Sequence, residues 1–274
     1  MEELSLFRFE DNCVYRKSLL YRSGIGKNIW ALNHLQGCAH GCRFPCYAFM
    51  MAKSFGRVKN YEEWIRPRIV CNALELLRKE LRKYRPERVT MCLSTDPFMY
   101  NVRRRDLFPE IKQLTLKIIA LLNAHEIPVT ILTKGFYPDE LTDKKFLRAN
   151  KLGITLVSLT PEFKEKYEPF PAPYELRIES LRRMHDAGFR TWVNMEPYPT
   201  PNLDPEARKV ERLLGKIDFV DEISFGRWNY NPEVKKFKDH RKYYTEIAKR
   251  IMEFCDSHHI RCSDRLRKYA GIRL

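Results

Sequence analysis

Three cysteines, Cys38, Cys42 and Cys46, recur at intervals of four within the stretch GCAHGCRFPCYAF (37–49), and this spacing constrains the chain more than any other feature. Cysteine is uncommon and usually buried, so three of them beside Gly37, His40, Gly41 and Pro45 read as ligands rather than packing. Thiolate sulfur is soft and suits an iron–sulfur cluster or zinc. Four thiolates usually hold a 4Fe-4S cluster, so three leave one iron open to an external ligand. A structural zinc site completed by His34 or His40 is the competing reading. Such sites usually come as paired ligand clusters, and the only other paired cysteines, Cys255 and Cys262, stand far along the chain. Spacing alone favours the cluster.

At 274 residues and 44% hydrophobic content, the chain can bury a full core and is most simply one domain. No apolar run approaches the roughly 18 residues of a membrane span. The acidic start MEELSLFRFED is not a secretory signal. A cytoplasmic protein without membrane contact is therefore expected, in which clustered cysteines serve as metal ligands and not as a disulfide framework. The net charge of +15 admits nucleic acid as a partner. Many of the basic residues, however, alternate with Glu, as in LLRKELRKYRPER, the pattern of a solvated helix face.

Residues 1–28, with two short apolar groups and a turn signal at Ser23-Gly24-Ile25-Gly26, are expected as an N-terminal extension packed on a core domain of residues 29–274. IWALN (29–33) predicts a strand leading into the cysteine loop, and Tyr47 to Lys53 a helix or turn. The spacing of Val70, Ala73, Leu74, Leu77 and Leu81 predicts a helix over 69–83. Strands are then predicted at 88–93, 129–133, 154–158, 191–195 and 222–225, alternating with helices at 109–125, 139–151, 174–187, 205–214 and 243–257. Gly153 and Gly188 are expected to close two of these helices. Strand–helix alternation implies parallel right-handed crossovers, about six of them, which fits a partial barrel or an open doubly wound sheet. In either, ligands gather at the C-terminal ends of the strands.

Those ends are polar: Ser94-Thr95-Asp96, Thr133-Lys134-Gly135, Ser158-Leu159-Thr160, Asn194-Met195-Glu196 and Ser224-Phe225-Gly226-Arg227-Trp228. Singly, each reads as a helix cap or turn. Lys134 and Glu196 are harder to account for locally, since a cap does not need Lys and a Glu before Pro suits a cationic ligand.

The cysteine stretch resembles the cluster loop of radical S-adenosylmethionine (SAM) enzymes, in the branch around spore photoproduct lyase. The resemblance rests on Gly37, Cys38, His40, Cys42, Cys46, Tyr47 and Ala48, and extends through LSTDPF, VTILTK and SLTPEF to about Trp228. The superfamily spacing is C-x3-C-x2-C; here Pro45 stands as an extra residue between the last two cysteines. The resemblance implies an α/β fold, a (β/α)6 partial TIM barrel with an N-terminal extension and a C-terminal helix. It implies a 4Fe-4S cluster on Cys38, Cys42 and Cys46, and SAM held by Thr95, Asp96, Lys134 and Ser158. By residue chemistry Lys134 suits the SAM carboxylate, Asp96, Asn194 or Glu196 the ribose or amine, and Phe44 or Tyr47 the adenine. In the lyase a cysteine hydrogen-atom donor directly precedes the polar-Asp pair; Ser94 stands there in this chain, and Cys92, two residues earlier, is the catalytic candidate in its place, with core filler as the alternative.

Arg103-Arg104-Arg105 reads as a phosphate-binding or solvated loop, and Gly226 to Tyr230 as a substrate wall. Cys255, His258, His259 and Cys262 stand at a spacing that would admit a second metal, although a helix end with buried cysteines explains them as well. Cys13 and Cys71 are expected in the core. The whole reads as a radical SAM enzyme, of lyase or transferase type, acting on an unidentified substrate and served by an electron donor such as ferredoxin or flavodoxin. Nucleic-acid repair or modification and a non-enzymatic zinc or cluster module are the alternatives. The extra Pro45 favours the module; the polar strand ends count against it.

Overall fold

A computed structural model of the protein describes residues 13–24 and 29–272. The chain opens with Cys13–Val14 (β1), Leu20–Arg22 (β2), Trp30–Leu32 (β3) and Leu35–Gln36 (β4), followed by helices Tyr47–Ser54 (α1) and Tyr61–Trp64 (α2). Strand Arg68–Val70 (β5), helix Ala73–Leu81 (α3), strand Val89–Met91 (β6), the hairpin Tyr100–Asn101 (β7) and Asp106–Leu107 (β8), helix Pro109–Ala124 (α4) and strand Val129–Thr133 (β9) come next. Lys151–Thr155 (β10), Pro161–Tyr167 (α5), Tyr174–Asp186 (α6), Arg190–Tyr198 (β11) and Val210–Leu214 (α7) lead to Glu222–Arg227 (β12). Pro232–Lys236 (α8), His240–Ser257 (α9), Arg261–Cys262 (β13) and Asp264–Tyr269 (α10) end the described elements.

One sheet of eight strands, in the order β13-β12-β11-β10-β9-β6-β3-β2, organises the molecule. Every pair from β3 to β13 is parallel, and β2 alone runs antiparallel, on β3. The six strands from β3 to β12 are the expected partial barrel, open between β2 and β13 among the described residues. A three-stranded sheet, β1-β5-β4, lies beside it. Of the N-terminal extension, residues 1–12, which hold the acidic start, and 25–28, which hold half of the turn signal, lie outside the described residues.

Local chemistry explains where elements begin and end. In β9 the sequence VTILT alternates, with Val129, Ile131 and Thr133 fully buried on one face. Helix α4 starts at Pro109, whose fixed φ suits a first helical position, and buries Ile111, Ile118, Ile119 and Leu122. Three predicted helices are corrected. Over 69–83 the first residues form β5 instead, because Ile69 pairs between Cys13 and Leu35; the helix starts only at Ala73. Over 139–151 there is one 3-10 turn, Asp139–Thr142. Asn150 is fully committed there: its side chain accepts from Val129 N at 2.9 Å and bonds Asn123, so polar side chains take over backbone partners and the helix does not propagate.

Gly153, expected as a helix stop, lies inside β10. A Cβ there would come within 2.2 Å of the Trp192 indole nitrogen, so the missing side chain lets Trp192 lie flat across the neighbouring strand. The predicted helix over 205–214 splits into a 3-10 turn, Pro205–Arg208, and α7.

Cys13 and Cys71, expected in the core, are instead disulfide-bonded, with Cα atoms 5.6 Å apart. Cys71 follows β5 and its N donates to Val14 O at 3.0 Å, which brings it beside β1, and Cys71 is exposed. Cys255 and Cys262 are free and buried, whereas His258 and His259 are exposed, and among the described residues the four form no metal-holding group. Among the described residues no helix is long and apolar enough to cross a membrane.

Candidate active site

The cysteine loop leaves β4 through Gly37, whose φ of +83° and close approach to the Trp64 carbonyl, 2.5 Å from where a Cβ would stand, exclude a side chain. Cys38 N then donates to Trp64 O at 2.9 Å, Tyr61 OH to Cys42 O at 3.1 Å and Arg43 N to Tyr167 O at 2.9 Å. Cys46 is the N-cap of α1, and its carbonyl accepts from Met50 N at 3.0 Å. The three thiols are free and line one cavity of about 660 Å³. Its floor is a face of the parallel sheet, read at the two-residue period of a strand: Thr130 and Leu132, Trp192 and Asn194, and Ser224. Burial pushes the thiol of Cys42 up to about 11.

Asp96 fastens this loop to the sheet. Its Oδ1 accepts from Phe98 N at 2.9 Å and Thr133 Oγ1 at 2.6 Å, and its Oδ2 from Lys134 N at 2.7 Å, with His40 Nδ1 at 3.3 Å. Tyr100 N donates to His40 Nε2 at 2.9 Å, which leaves the His40 proton on Nδ1, facing the carboxylate. Burial alone would raise Asp96, but His40 and these donors hold it below the usual carboxylate range. With four donors the Asp96 carboxylate is saturated.

Lys134 reaches the cysteines from the end of β9. Its Nζ lies 2.6 Å from Glu168 Oε1, 3.7 Å from Cys42 Sγ and 4.2 Å from the centre of the Phe44 ring. Glu168 is completely buried between Lys134 and Arg177, whose Nη1 lies 3.0 Å from Glu168 Oε2. Burial would raise its carboxyl, yet the two cations hold it at about 2. Arg177, also fully buried, donates in addition to Thr155 O at 3.0 Å and Ala172 O at 2.9 Å. The result is a rigid Lys134–Glu168–Arg177 chain ending beside Cys42. Nothing local in the sequence marks Glu168 or Arg177.

At the far wall, Glu196 on β11 pairs with Arg265 on α10. Gly226 on β12 makes room for it, since a Cβ there would lie 2.5 Å from the Glu196 carboxyl carbon. Burial pushes Glu196 up, against the pull of Arg265. Tyr47 OH donates to Leu93 O, and Phe44 meets Trp228 edge-on with centroids 5.6 Å apart. Arg227, Asn229 and Tyr230 stand at the mouth.

Cys38, Cys42, Cys46, Phe44, Tyr47, Cys92, Thr95, Asp96, Lys134, Asn194 and Glu196 thus share one cavity. Ser158 does not: its Oγ donates to Asp204 Oδ2 at 2.6 Å, because β10 ends at Thr155 and the chain turns outward, leaving Thr155 on the cavity. Thr160, for its part, is a cap, accepting from Phe163 N at 3.3 Å. Strand β6 ends at Met91, and Cys92 adopts a left-handed backbone with φ 55°, so strand alternation does not set its direction. Its Sγ lies 3.4 Å from His34 Nδ1, while His34 Nε2 lies 2.8 Å from Thr115 Oγ1, which donates to Pro97 O. That chain of donors puts the His34 proton on Nε2 and leaves Nδ1 to accept from the Cys92 thiol. Burial pushes Cys92 up to about 12 and His34 down to about 3, so both are neutral.

Among the described residues no three His, Cys, Asp or Glu side chains close around a single metal ion. A 4Fe-4S cluster spreads its thiolates over separate irons, one on each, and three free thiols on one loop, facing a cavity of about 660 Å³, fit that group with one iron left open and room for a second ligand.

The comparisons with known proteins agree. A spore photoproduct lyase double mutant, solved with bound AdoMet and dinucleoside spore photoproduct, superposes with a TM-score of 0.64 at 14% identity, over 94% of this chain and 83% of that one. Spore photoproduct lyase complexed with dinucleoside spore photoproduct gives 0.60 at 16% identity, over 90% and 77%. At such identities the likeness is one of fold. The uncharacterized protein MJ0683 of Methanocaldococcus jannaschii is 25% identical over 189 residues, 68% of this chain, and the matched stretch spans 65% of that relative's length. The Radical SAM superfamily pattern itself matches residues 32–205. The chain belongs to the Radical SAM superfamily, whose members use a 4Fe-4S cluster and S-adenosylmethionine.

Proposed function

We infer that this protein is an enzyme that cleaves SAM reductively and uses the radical so formed on a substrate of its own. The observation that carries the reading is the convergence of the Cys38, Cys42 and Cys46 thiols on one cavity at the C-terminal ends of a parallel sheet. When bound, the cluster and SAM supply a one-electron cleavage that yields methionine and a 5'-deoxyadenosyl radical, which abstracts hydrogen.

The chain's own residues bind, orient and exclude water. Cys38, Cys42 and Cys46 hold the cluster, and Asp96, through His40, fixes their loop. Lys134, held by Glu168, places one positive charge beside Cys42 and offers it to the SAM carboxylate. Phe44 and Tyr47 provide aromatic faces for the adenine, while Thr95, Asn194 and Glu196 provide polar groups for ribose and amine. Cys92, hydrogen-bonded to His34, stands at the cavity as a neutral thiol. Such a protein, working in the cytoplasm, needs a one-electron donor such as a ferredoxin or flavodoxin.

A second reading narrows the substrate to nucleic acid. It is favoured by the three exposed arginines, Arg103, Arg104 and Arg105, on the β7–β8 hairpin that packs behind His40, and by a fold shared with a lyase solved with a dinucleoside photoproduct.

The decisive experiment is anaerobic reconstitution with iron and sulfide, then reduction with dithionite in the presence of SAM. Wild type is expected to produce 5'-deoxyadenosine and Cys42→Ala none. A colourless zinc-loaded protein without SAM cleavage would replace this reading by a structural metal module.

A further inference from the structure

Helix α1, which begins directly after Cys46, holds large apolar side chains in solvent as well as a packed inner face. It buries Ala48 and Ala52 against Val58 and Trp64, and packs the half-buried Phe49 ring against Tyr61 and Trp64, with centroids 5.4 and 6.1 Å away. Four large apolar residues, counting the C-cap Phe55, are nevertheless exposed: Tyr47 by 48%, Met50 by 37%, Met51 by 49% and Phe55 by 66%. Tyr47, Met51 and Phe55 recur at i, i+4 and i+8, one continuous stripe of the helix surface. Contiguous exposed apolar residues of this kind are the mark of contact surfaces. Methionine and aromatic residues are the types enriched at protein interfaces, and methionine in particular packs against varied partners.

The charges around the stripe narrow the partner. From Arg43 to Lys59 the chain contains Arg43, Lys53, Arg57 and Lys59, all exposed, and not one acidic residue. Arg57 lies over the Phe55 ring, 5.5 Å from its centre, so cation and apolar surface form one patch. The complementary partner is acidic with an apolar centre. Phosphate backbones match the charges but leave methionine and phenylalanine unsatisfied, which favours a protein over a nucleic acid. The position narrows it again. Met50 is one helical turn, about 6 Å of rise, from the ligand Cys46, and Tyr47 belongs both to the stripe and to the cavity wall.

We propose that the exposed face of α1, centred on Met51 and Phe55, with Arg57 over the Phe55 ring and Arg43, Lys53 and Lys59 flanking it along the chain, is the docking surface for an acidic one-electron carrier protein. The proposal rests on the radical SAM reading. One electron leaves the carrier's reduced cofactor and one is gained by the 4Fe-4S cluster, with no atom or proton transferred. The helix delivers the carrier to the only loop that carries all three ligand thiols.

The test uses the reconstituted full chain and a reduced acidic flavodoxin as probe, with cluster reduction followed by visible bleaching and electron paramagnetic resonance. The double substitution Met51→Glu and Phe55→Glu, both at exposed positions, is expected to slow reduction by flavodoxin ~10-fold or more through like-charge repulsion and lost apolar contact. Reduction by dithionite, which needs no docking, is expected to be the same in variant and wild type. In wild type, raising the salt concentration slows the flavodoxin reaction alone. Equal flavodoxin rates in variant and wild type would overturn the proposal. So would an unchanged flavodoxin rate accompanied by lost oligonucleotide retention, which hands the surface to nucleic acid, or by conversion of a wild-type dimer to monomer, which hands it to a second copy. A wild-type cluster that no reductant turns over with SAM removes the radical SAM reading itself, and the docking site with it.

Discussion

Glu168 shows what single residues do here. A carboxylate with no solvent exposure is costly unless both of its oxygens are matched, and Lys134 and Arg177 match them. Glu168→Gln leaves two buried cations without their anion and is expected to lower stability by about 3–5 kcal/mol, read as a fall in the urea midpoint. The pH dependence has a definite sign. The folded carboxyl is held at about 2, below its ordinary value of 4.5. Its contribution is therefore complete above 4.5 and is lost as pH falls towards 2. In that acid window the stability of wild type should decline more steeply than that of Glu168→Gln; parallel acid limbs would show that the carboxylate is not the group responsible. Cys38, Cys42, Cys46, Asp96 and Lys134 were legible because they stand in local patterns or at strand ends. Glu168, Arg177 and Arg265 were not. Their meaning lies in partners such as Lys134 and Glu196, 69 positions before Arg265, and no local pattern records a contact across such a separation.

At the scale of elements, β10 and β11 build the floor of the site together. Trp192 fits because Gly153 has no side chain, and its Nε1 donates to Ile131 O at 3.2 Å across two strands. Gly153→Ala inserts a methyl into the indole and is expected to cost about 1–3 kcal/mol as overpacking. Thermal unfolding and tryptophan emission should shift together; a shift in neither would mean that the floor yields freely. Strand β9 and helices α4 and α6 were legible because period and end signals agree in them. Residues 139–151 were not, since Asn150 and Asn123 spend their side chains on backbone groups and end a pattern that would otherwise continue. Ile69 and Val70 carry the period of a helix and the partners of a strand, and β1 and β4 decide between them.

For the whole molecule, alternation of strands and helices was enough to foresee six parallel units. It could not foresee β13 and the antiparallel β2 that flank them, each only two or three residues long. The charge of +15 also acts at this scale. A single-stranded oligonucleotide should be retained at low salt and released as salt rises, with log affinity falling linearly in log salt. Absence of retention at low salt would withdraw nucleic acid as a substrate class. The order in which the site is assembled follows from its spread along the chain. During synthesis the three thiols emerge early, well before Lys134, Glu168, Glu196 and Arg265, which wall their cavity. A growing chain thus exposes bare thiols with nothing around them to exclude oxygen or stray metal. The enclosed seat for iron and sulfide exists only once those later residues have folded around the thiols.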